Sequence, residues 1–291
     1  MSNLKEIRTR IASVESTQKM TSAMKLVSAA KLRRAQSAIS NLKPYSNKLN
    51  ELLENFSSSI DISENSPFFA IRKPENVALV IITSNRGLCG AFNTNIIKET
   101  HRIIHEEYAT QLQEKKLKLI CIGKKAVEQL QNNYEIRYTD EFLIDIPQFD
   151  EVADIASDLI TGFSNKKIDK IVIIYNHFVS PIMQKITVEP FLPIVNMKEK
   201  NLAKNVNFIF EPSHDILITE LVPRILKIQL YKTVLDSIAA EHGARMTAMS
   251  KATDNATGIL KDLKLRYNNA RQAAITNELN EIVSGAEALN G

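Results

Sequence analysis

The chain has 291 residues, 44% hydrophobic and 24% charged, a composition ordinary for one large or two small globular domains. Its longest apolar run, residues 77–82, is far too short to span a bilayer, and the opening MSNLKEIRTRIASVES lacks the apolar h-region of a secretory signal, so any membrane role is expected to come through a partner. The net charge of +4 is uneven: residues 1–43 carry nine basic side chains against Glu6 and Glu15, a net +7, and the remainder sums to −3.

The N-terminal 43 residues contain no Gly or Pro and read as one long helix, roughly 65 Å if unbroken. Leu4, Ile7, Ile11 and Val14 recur at 3–4 spacing. The stripe then shifts through Met20, Met24, Val27 and Ala30. It is narrow and rich in small residues, which suits a two-helix coil better than a bulky core. Pro44 is expected to kink the helix or let it restart, with Leu49, Leu52, Leu53 and Phe56 continuing the pattern. The Ser-rich stretch 57–67 reads as a linker.

The middle alternates between two kinds of segment. VALVIIT at 77–83, KLICI at 118–122 and IVIIY at 171–175 are short β-branched runs that suit strands buried on both faces. Helices are expected at 93–113, 124–132 and 151–164 between them, which gives a β-α-β-α order and a mostly parallel sheet. Extended pieces at 185–188 and 206–210 are candidate edge strands. The C-terminal segment, 224–288, has no Pro and offers a matching seam. One heptad series is Ile228, Leu235, His242, Met249, Ala256, Leu263 and Ala270. A second, offset by three, is Tyr231, Ile238, Arg245, Ala252, Ile259, Arg266 and Ala273. Charge buried in a continuous seam is costly, so this helix is expected to leave its partner along part of its length or to meet a surface that wants those charges.

Chemistry is sparse. TSNRGLCG at 83–90 lies between a strand and a helix, where α/β sheets bind ligands, but it is neither GxGxxG nor GxxxxGK[ST]. It is read as a tight turn in which Arg86, Gly87 and Gly90 are structural. Gly123-Lys124-Lys125 lacks the rest of a P-loop and reads as a helix start. His101 and His105 share a helix face, but a half-exposed surface is the simpler reading. Cys89 and Cys121 form no CxxC or metal pattern and are expected as reduced thiols of an intracellular protein. No nucleophile, base and orienter assemble, so neither catalytic nor cofactor or metal-binding residues are expected. The basic helix lacks base-stacking aromatics, which argues against nucleic acid. These features alone leave open a coiled-coil adaptor with a ligand-binding α/β domain.

The two ends together resemble the gamma subunit of F-type ATP synthases. RIASVESTQKMTSAMKLVSAAKLRRAQ at 10–36 is similar to that family's first helix. ARQAAITNELNEIVSGAEA at 270–288 is similar to its signature, with Ile275, Thr276, Glu278, Glu281, Gly285 and Ala286 in order. EHGARMTAMSKATDN at 241–255 and the RGLCG loop are also similar. The resemblance implies an α/β protein with long helical arms: an antiparallel coiled coil of the terminal helices and a Rossmann-like domain. The implied boundaries are 1–59, 74–205 and 206–291. It further implies a non-catalytic rotor shaft in contact with the alpha–beta hexamer, the epsilon subunit and the membrane c-ring, with the active sites on beta. Contacts with beta fall to Lys19, Met24, Arg245, Arg271 and Gln272, an influence on coupling to Thr276 and Glu278, and contacts with the ring and epsilon to Phe210 and Glu211. The regulatory dithiol of the plastid branch has no counterpart here, and a start without a transit peptide favours a bacterial protein, associated with the inner membrane only indirectly.

Overall fold

The computed structural model describes residues 4–59, 67–194 and 214–290. Three short apolar runs define the sheet. Strands β1 (Val77–Ile82), β2 (Leu117–Ile122), β3 (Ile136–Asp140), β4 (Lys170–Phe178) and β5 (Gln184–Leu192) form one sheet in the order β3-β2-β1-β4-β5. The first four are parallel, with Val77 opposite both Leu117 and Lys170, and β5 returns antiparallel along β4. The central strand VALVII is buried at every position, as expected of a strand covered on both faces.

The sheet's covering helices are amphipathic. Helices α2 (Phe92–Glu107) and α4 (Lys124–Leu130) bury Ile96, Ile103, Ile104, Ala126 and Leu130 against Leu79, Ile81, Leu119, Cys121 and Ile174. The short α3 (Ala109–Gln113) follows α2, and α5 (Phe149–Ser164) buries Val152, Ala156, Leu159 and Phe163. Arg72 lies 4.7 Å over the Phe163 ring and 3.8 Å from Asp169, which also accepts the Asn76 N–H at 2.8 Å. These bonds pin the entry to β1.

Both ends are long helices, α1 (Leu4–Ser59) and α6 (His214–Asn290). Pro44 lies within α1, which continues beyond it to Ser59. Two expectations change. Helix α6 begins ten residues before the expected start and contains Pro223. Strand β3, IRYTD, was not expected: it is an edge strand, exposed at Arg137, Tyr138 and Thr139, and carries no apolar alternation to betray it. The expected strand at 206–210, and with it Phe210 and Glu211, lies outside the described residues.

By mutual contact the chain divides into two units, 1–28 with 246–291, and 29–245. Within the first unit, α1 and α6 pair antiparallel. Glu15 meets Lys264 at 3.2 Å, Gln18 donates to Thr257 at 2.7 Å, Thr21 shares a 2.8 Å bond with Thr253, and Lys25 donates to Ser250 at 3.0 Å. As one number rises the other falls. Within the second unit the same pairing places Leu49 against Ile225 and Ile228, with Leu42, Leu52 and Leu221 around them.

The seam itself differs from both expected patterns. On α1 it does not shift to Met20 and Val27, which are exposed. It continues straight from Leu4, Ile7, Ile11 and Val14 through Gln18, Thr21, Lys25 and Ser28. On α6 the series Met249, Ala256, Leu263 and Ala270 faces inward as expected. Its companion is Met246, Thr253, Leu260, Tyr267 and Ala274, not Ile259, Arg266 and Ala273, which are exposed; Ala252 is half-buried, as Thr253 is. The 3–4 rhythm holds in both cases. Rotating the helix by one position leaves Arg266 in solvent and half-buries Thr253, which has a partner for its hydroxyl, so the desolvation of a guanidinium is avoided.

Candidate functional site

Two places carry the residues singled out from sequence, one in each unit. In the helix pair, Lys19 is exposed and Met24 half-buried. Arg271, Gln272, Ile275, Glu278, Glu281, Gly285 and Ala286 are all exposed, and the Thr276 hydroxyl, likewise exposed, donates to the Gln272 carbonyl at 3.0 Å. The pairing register explains this exposure. Residues that face each other across the coil have numbers whose sum stays in the mid-to-high 270s, so the described start of α1 at Leu4 is matched near residue 273. Beyond it, Ile275, Leu279, Ile282 and Val283 recur at i, i+4, i+7 and i+8 with exposures of 49, 56, 67 and 54%. That is a regular apolar stripe with no described residue of α1 to cover it.

The second place lies at the C-terminal end of β1 and on the turn of α6 that passes it. Thr83 and Ser84 are buried. The Ser84 hydroxyl donates to the Arg86 carbonyl at 2.7 Å, and Asn93 accepts the Ser84 N–H at 3.0 Å. The RGLCG turn places Leu88 and Gly90 at positive φ, 64° and 63°, and a leucine there is strained. Gly123, at φ 105°, cannot be replaced, because a Cβ would lie 2.2 Å from the Thr83 carbonyl oxygen. The crossing of the β1 and β2 loops needs a residue without a side chain.

Arg245, expected to contact a partner's acidic segment, is buried and engaged within the chain. Its Nη1 donates to Glu241 Oε1 at 2.5 Å, and its Nη2 donates to the carbonyls of Arg86 at 3.1 Å and Gly87 at 3.3 Å. Glu241 is pushed up by burial, against the downward pull of the Arg245 charge. His242, one residue on, is pushed down to about 4 by burial first and by the Arg245 and Lys31 charges second. It is therefore a neutral imidazole at neutral pH, its Nδ1 3.4 Å from the Arg245 guanidinium. The cysteines are buried thiols: burial raises Cys89 and pushes Cys121 to about 12. His101 sits 2.6 Å from the Tyr134 hydroxyl. Among the described residues no group of three or more His, Cys, Asp and Glu side chains could hold a metal, and no helix is long and apolar enough to cross a membrane.

The pairing of Glu241 with Arg245, and the roles of Asn85, Asn93, Asp145 and the polar seam residues, are not among the sequence-based expectations. A signal was present for the first: a Glu four residues before an Arg in a helix is a favourable pair.

The architecture defines a class: a mostly parallel α/β domain flanked in sequence by long terminal helices that pair antiparallel, with an apolar stripe on α6 that no described residue of α1 covers. A model of the ATP synthase family matches residues 3–289. The ATP synthase gamma chain of Flavobacterium johnsoniae is 49% identical over 291 residues, all of both chains. That of a Geobacter species is 42% identical, again over all of both. Among solved structures, a chain of the Euglena gracilis mitochondrial ATP synthase superposes with a TM-score of 0.68 at 21% identity, covering 98% of this chain and 94% of that one. A chain of the Tetrahymena thermophila mitochondrial ATP synthase central stalk and c-ring gives 0.62 at 23%, covering 80% and 99%. The last two establish a shared fold. The full-length matches at near half identity establish more: the chain belongs to the ATP synthase gamma family.

Proposed function

We propose that this chain is the central rotor subunit of an F-type ATP synthase that transmits torque between a membrane c-ring and a catalytic alpha–beta hexamer and takes part in regulating it. The observation that carries this reading is the uncovered stripe Ile275, Leu279, Ile282 and Val283 at the end of α6, in a chain of this family. A helix end with apolar side chains half to two-thirds exposed gains from a sleeve around it. Shallow apolar contacts also let that sleeve turn without breaking many bonds. Arg271 and Gln272, exposed one turn before the stripe, supply polar grip, because charge-assisted and amide hydrogen bonds hold at particular angles where apolar contact does not. Lys19 and Met24 are further beta contacts in this reading, and Thr276, Glu278 and Glu281 tune coupling; Arg245, buried and bonded within the chain, would meet beta only by exchanging those bonds. The ring and epsilon subunit meet the foot at Phe210 and Glu211. ATP is made and hydrolysed on beta, and the chain sits at the cytoplasmic face of a bacterial membrane, held there by the ring.

The adaptor reading needs a ligand site after β1. The turn there directs two carbonyl oxygens at Arg245 and fills its interior with Ser84 and Asn93, where a phosphate cradle would present free N–H groups.

The test is Gln272→Leu in a reconstituted complex. ATP turnover should fall severalfold, while the isolated variant keeps its helical circular dichroism and, like the isolated parent chain, hydrolyses no ATP. Unchanged turnover would remove Gln272 from the grip, and robust hydrolysis by the purified chain would end the non-catalytic assignment.

A further inference from the structure

The loop after β1 is tied into a polar cluster that links it to α6 on one side and to the chain after β3 on the other. Glu241 and Arg245 lie one turn apart on α6, only 5% and 8% exposed. Arg245 spans from Glu241 to the carbonyls of Arg86 and Gly87. On its other side the loop is held by Asn85. Its Nδ2 donates to Asp145 Oδ2 at 3.0 Å and to the Glu141 carbonyl, and its Oδ1 accepts the Lys124 N–H at 3.0 Å. Asp145 lies 3.9 Å from Lys31 of α1. Small residues bring α6 close enough for this. Ala240 and Ala244 pack on Cys89 and Phe92, and Gly243 faces Phe178 and Pro181 at the β4–β5 connection.

A buried ion pair adds little net stability compared with an apolar substitute of the same shape, while loss of one partner is costly. Geometry is what it can fix. Contacts of Ala240 and Ala244 with Cys89 and Phe92 tolerate a small rotation of the helix. A planar guanidinium bonded at once to a carboxylate and two carbonyls tolerates much less. We propose that Glu241 is a positioning residue: it holds the Arg245 guanidinium against the Arg86 and Gly87 carbonyls and so keys the rotational setting of α6 to the sheet. The key as a structure stands on these contacts alone. Its use rests on the rotor reading, in which torque on the α/β domain must reach α6 without slip.

The experiment has two arms. In the purified chain, hydrogen exchange of amides 85–91 is compared in wild type, Glu241→Gln and Glu241→Ala, with amides 78–82 and 118–122 as internal controls. Glu241→Gln keeps the shape and one acceptor, so it carries the test even if the alanine variant fails to fold. Loop amides should exchange about tenfold faster, the scale of one lost charge-assisted bond, with strand amides unchanged. Loop exchange equal to wild type in a folded Glu241→Gln chain overturns the key. In the reconstituted complex, protons pumped per ATP should fall in Glu241→Gln relative to wild type. A loosened loop with undiminished pumping overturns its role in transmission. Failure of the wild-type chain to support coupled pumping would overturn the rotor reading and leave the key standing.

Discussion

Alanine at Gly243 and at Gly258 should move stability in opposite directions, although both glycines lie in α6. Each replacement gains helix propensity, about 1 kcal/mol in an interior position. At Gly258 a new Cβ would find nothing within 4 Å and the position is exposed, so most of that gain survives. At Gly243 the same Cβ would lie 3.1 Å from Phe178 Cε2 and 3.2 Å from Pro181 Cα. The ring can turn, but the backbone of Pro181 is braced. Ser180 and Met183 exchange N–H···O bonds at 3.0 and 3.1 Å, and Gln184 Nε2 donates to the Pro181 carbonyl at 3.0 Å. Overpacking of that kind costs about 1–3 kcal/mol. Gly243→Ala should therefore be destabilising by up to about 2 kcal/mol net, and Gly258→Ala stabilising by about 0.5–1 kcal/mol. Because the chain forms two units, a single melting curve is a poor assay. Native-state hydrogen exchange reads each site separately, with peptides over 250–262 for Gly258 and over 176–186 and 238–246 for Gly243. If Gly243→Ala slows exchange as much as Gly258→Ala does, then the hairpin yields freely and the close approach carries no constraint.

His242 gives a pH dependence of defined sign. Its folded pKa of about 4 lies below the ordinary value near 6.5, so the unfolded chain binds the proton first. The stability of the neutral buried ring is fully present above pH 6.5 and is lost as pH falls toward 4, by at most about 3 kcal/mol. Glu241, raised by burial, acts in the opposite sense, so the measurement is the difference between wild type and His242→Gln in native-state hydrogen exchange of peptide 238–246, corrected for intrinsic rates, from pH 4 to 7. Parallel profiles would contradict the assignment. The two buried cysteines, both with raised thiol pKa values, should resist iodoacetamide at pH 8 in the folded chain and alkylate about a hundredfold faster in urea. Rapid labelling of Cys89 in the native protein would show that the turn after β1 opens.

Which parts of this structure the sequence could reveal follows from where the free energy is local. The three central strands announce themselves because a strand buried on both faces must be a continuous apolar run. Strand β3 is silent because an edge strand with exposed Arg137, Tyr138 and Thr139 owes its place to its neighbour β2. The helix ends were legible as a coil from their lack of breakers, but its seam was read one position off on α6. Hydrophobicity ranks Ile259 above Thr253, while the fold ranks a hydroxyl with a partner above an isoleucine whose neighbour in the series is Arg266. The same bias moved the α1 stripe to Met20 and Val27 when Gln18 and Thr21 continue it. For the candidate site, the resemblance names Arg271 and Gln272, and the structure shows both exposed. The Arg245 cluster is legible only in its i,i+4 pair with Glu241; its other two partners are carbonyl groups 158 and 159 residues away, and a carbonyl leaves no mark in a sequence.

The polar stretch of the seam fixes the register of the helix pair. A coil held only by Leu4, Ile7, Ile11 and Val14 against Leu260, Leu263 and small residues could slip by one heptad, about 10 Å, and again find apolar partners. The bonds from Gln18 to Thr257, Thr21 to Thr253 and Lys25 to Ser250 exist in one register only. Slippage unmakes all three, and at about 0.5–1.5 kcal/mol each for half-exposed groups that water can partly satisfy, the correct register is favoured by roughly 2–4 kcal/mol. This is the use of polar residues for which coiled coils offer the best precedent: they set register more than they add stability. Register in turn fixes where the cover of α1 ends on α6, and hence which residues are left bare. With the observed pairing those are Arg271, Gln272 and the stripe from Ile275 to Val283. A shift of one heptad would either cover Arg271, Gln272 and Ile275 or uncover Tyr267 and Ala270, so the polar pairs in the middle of the coil determine the surface that its end presents.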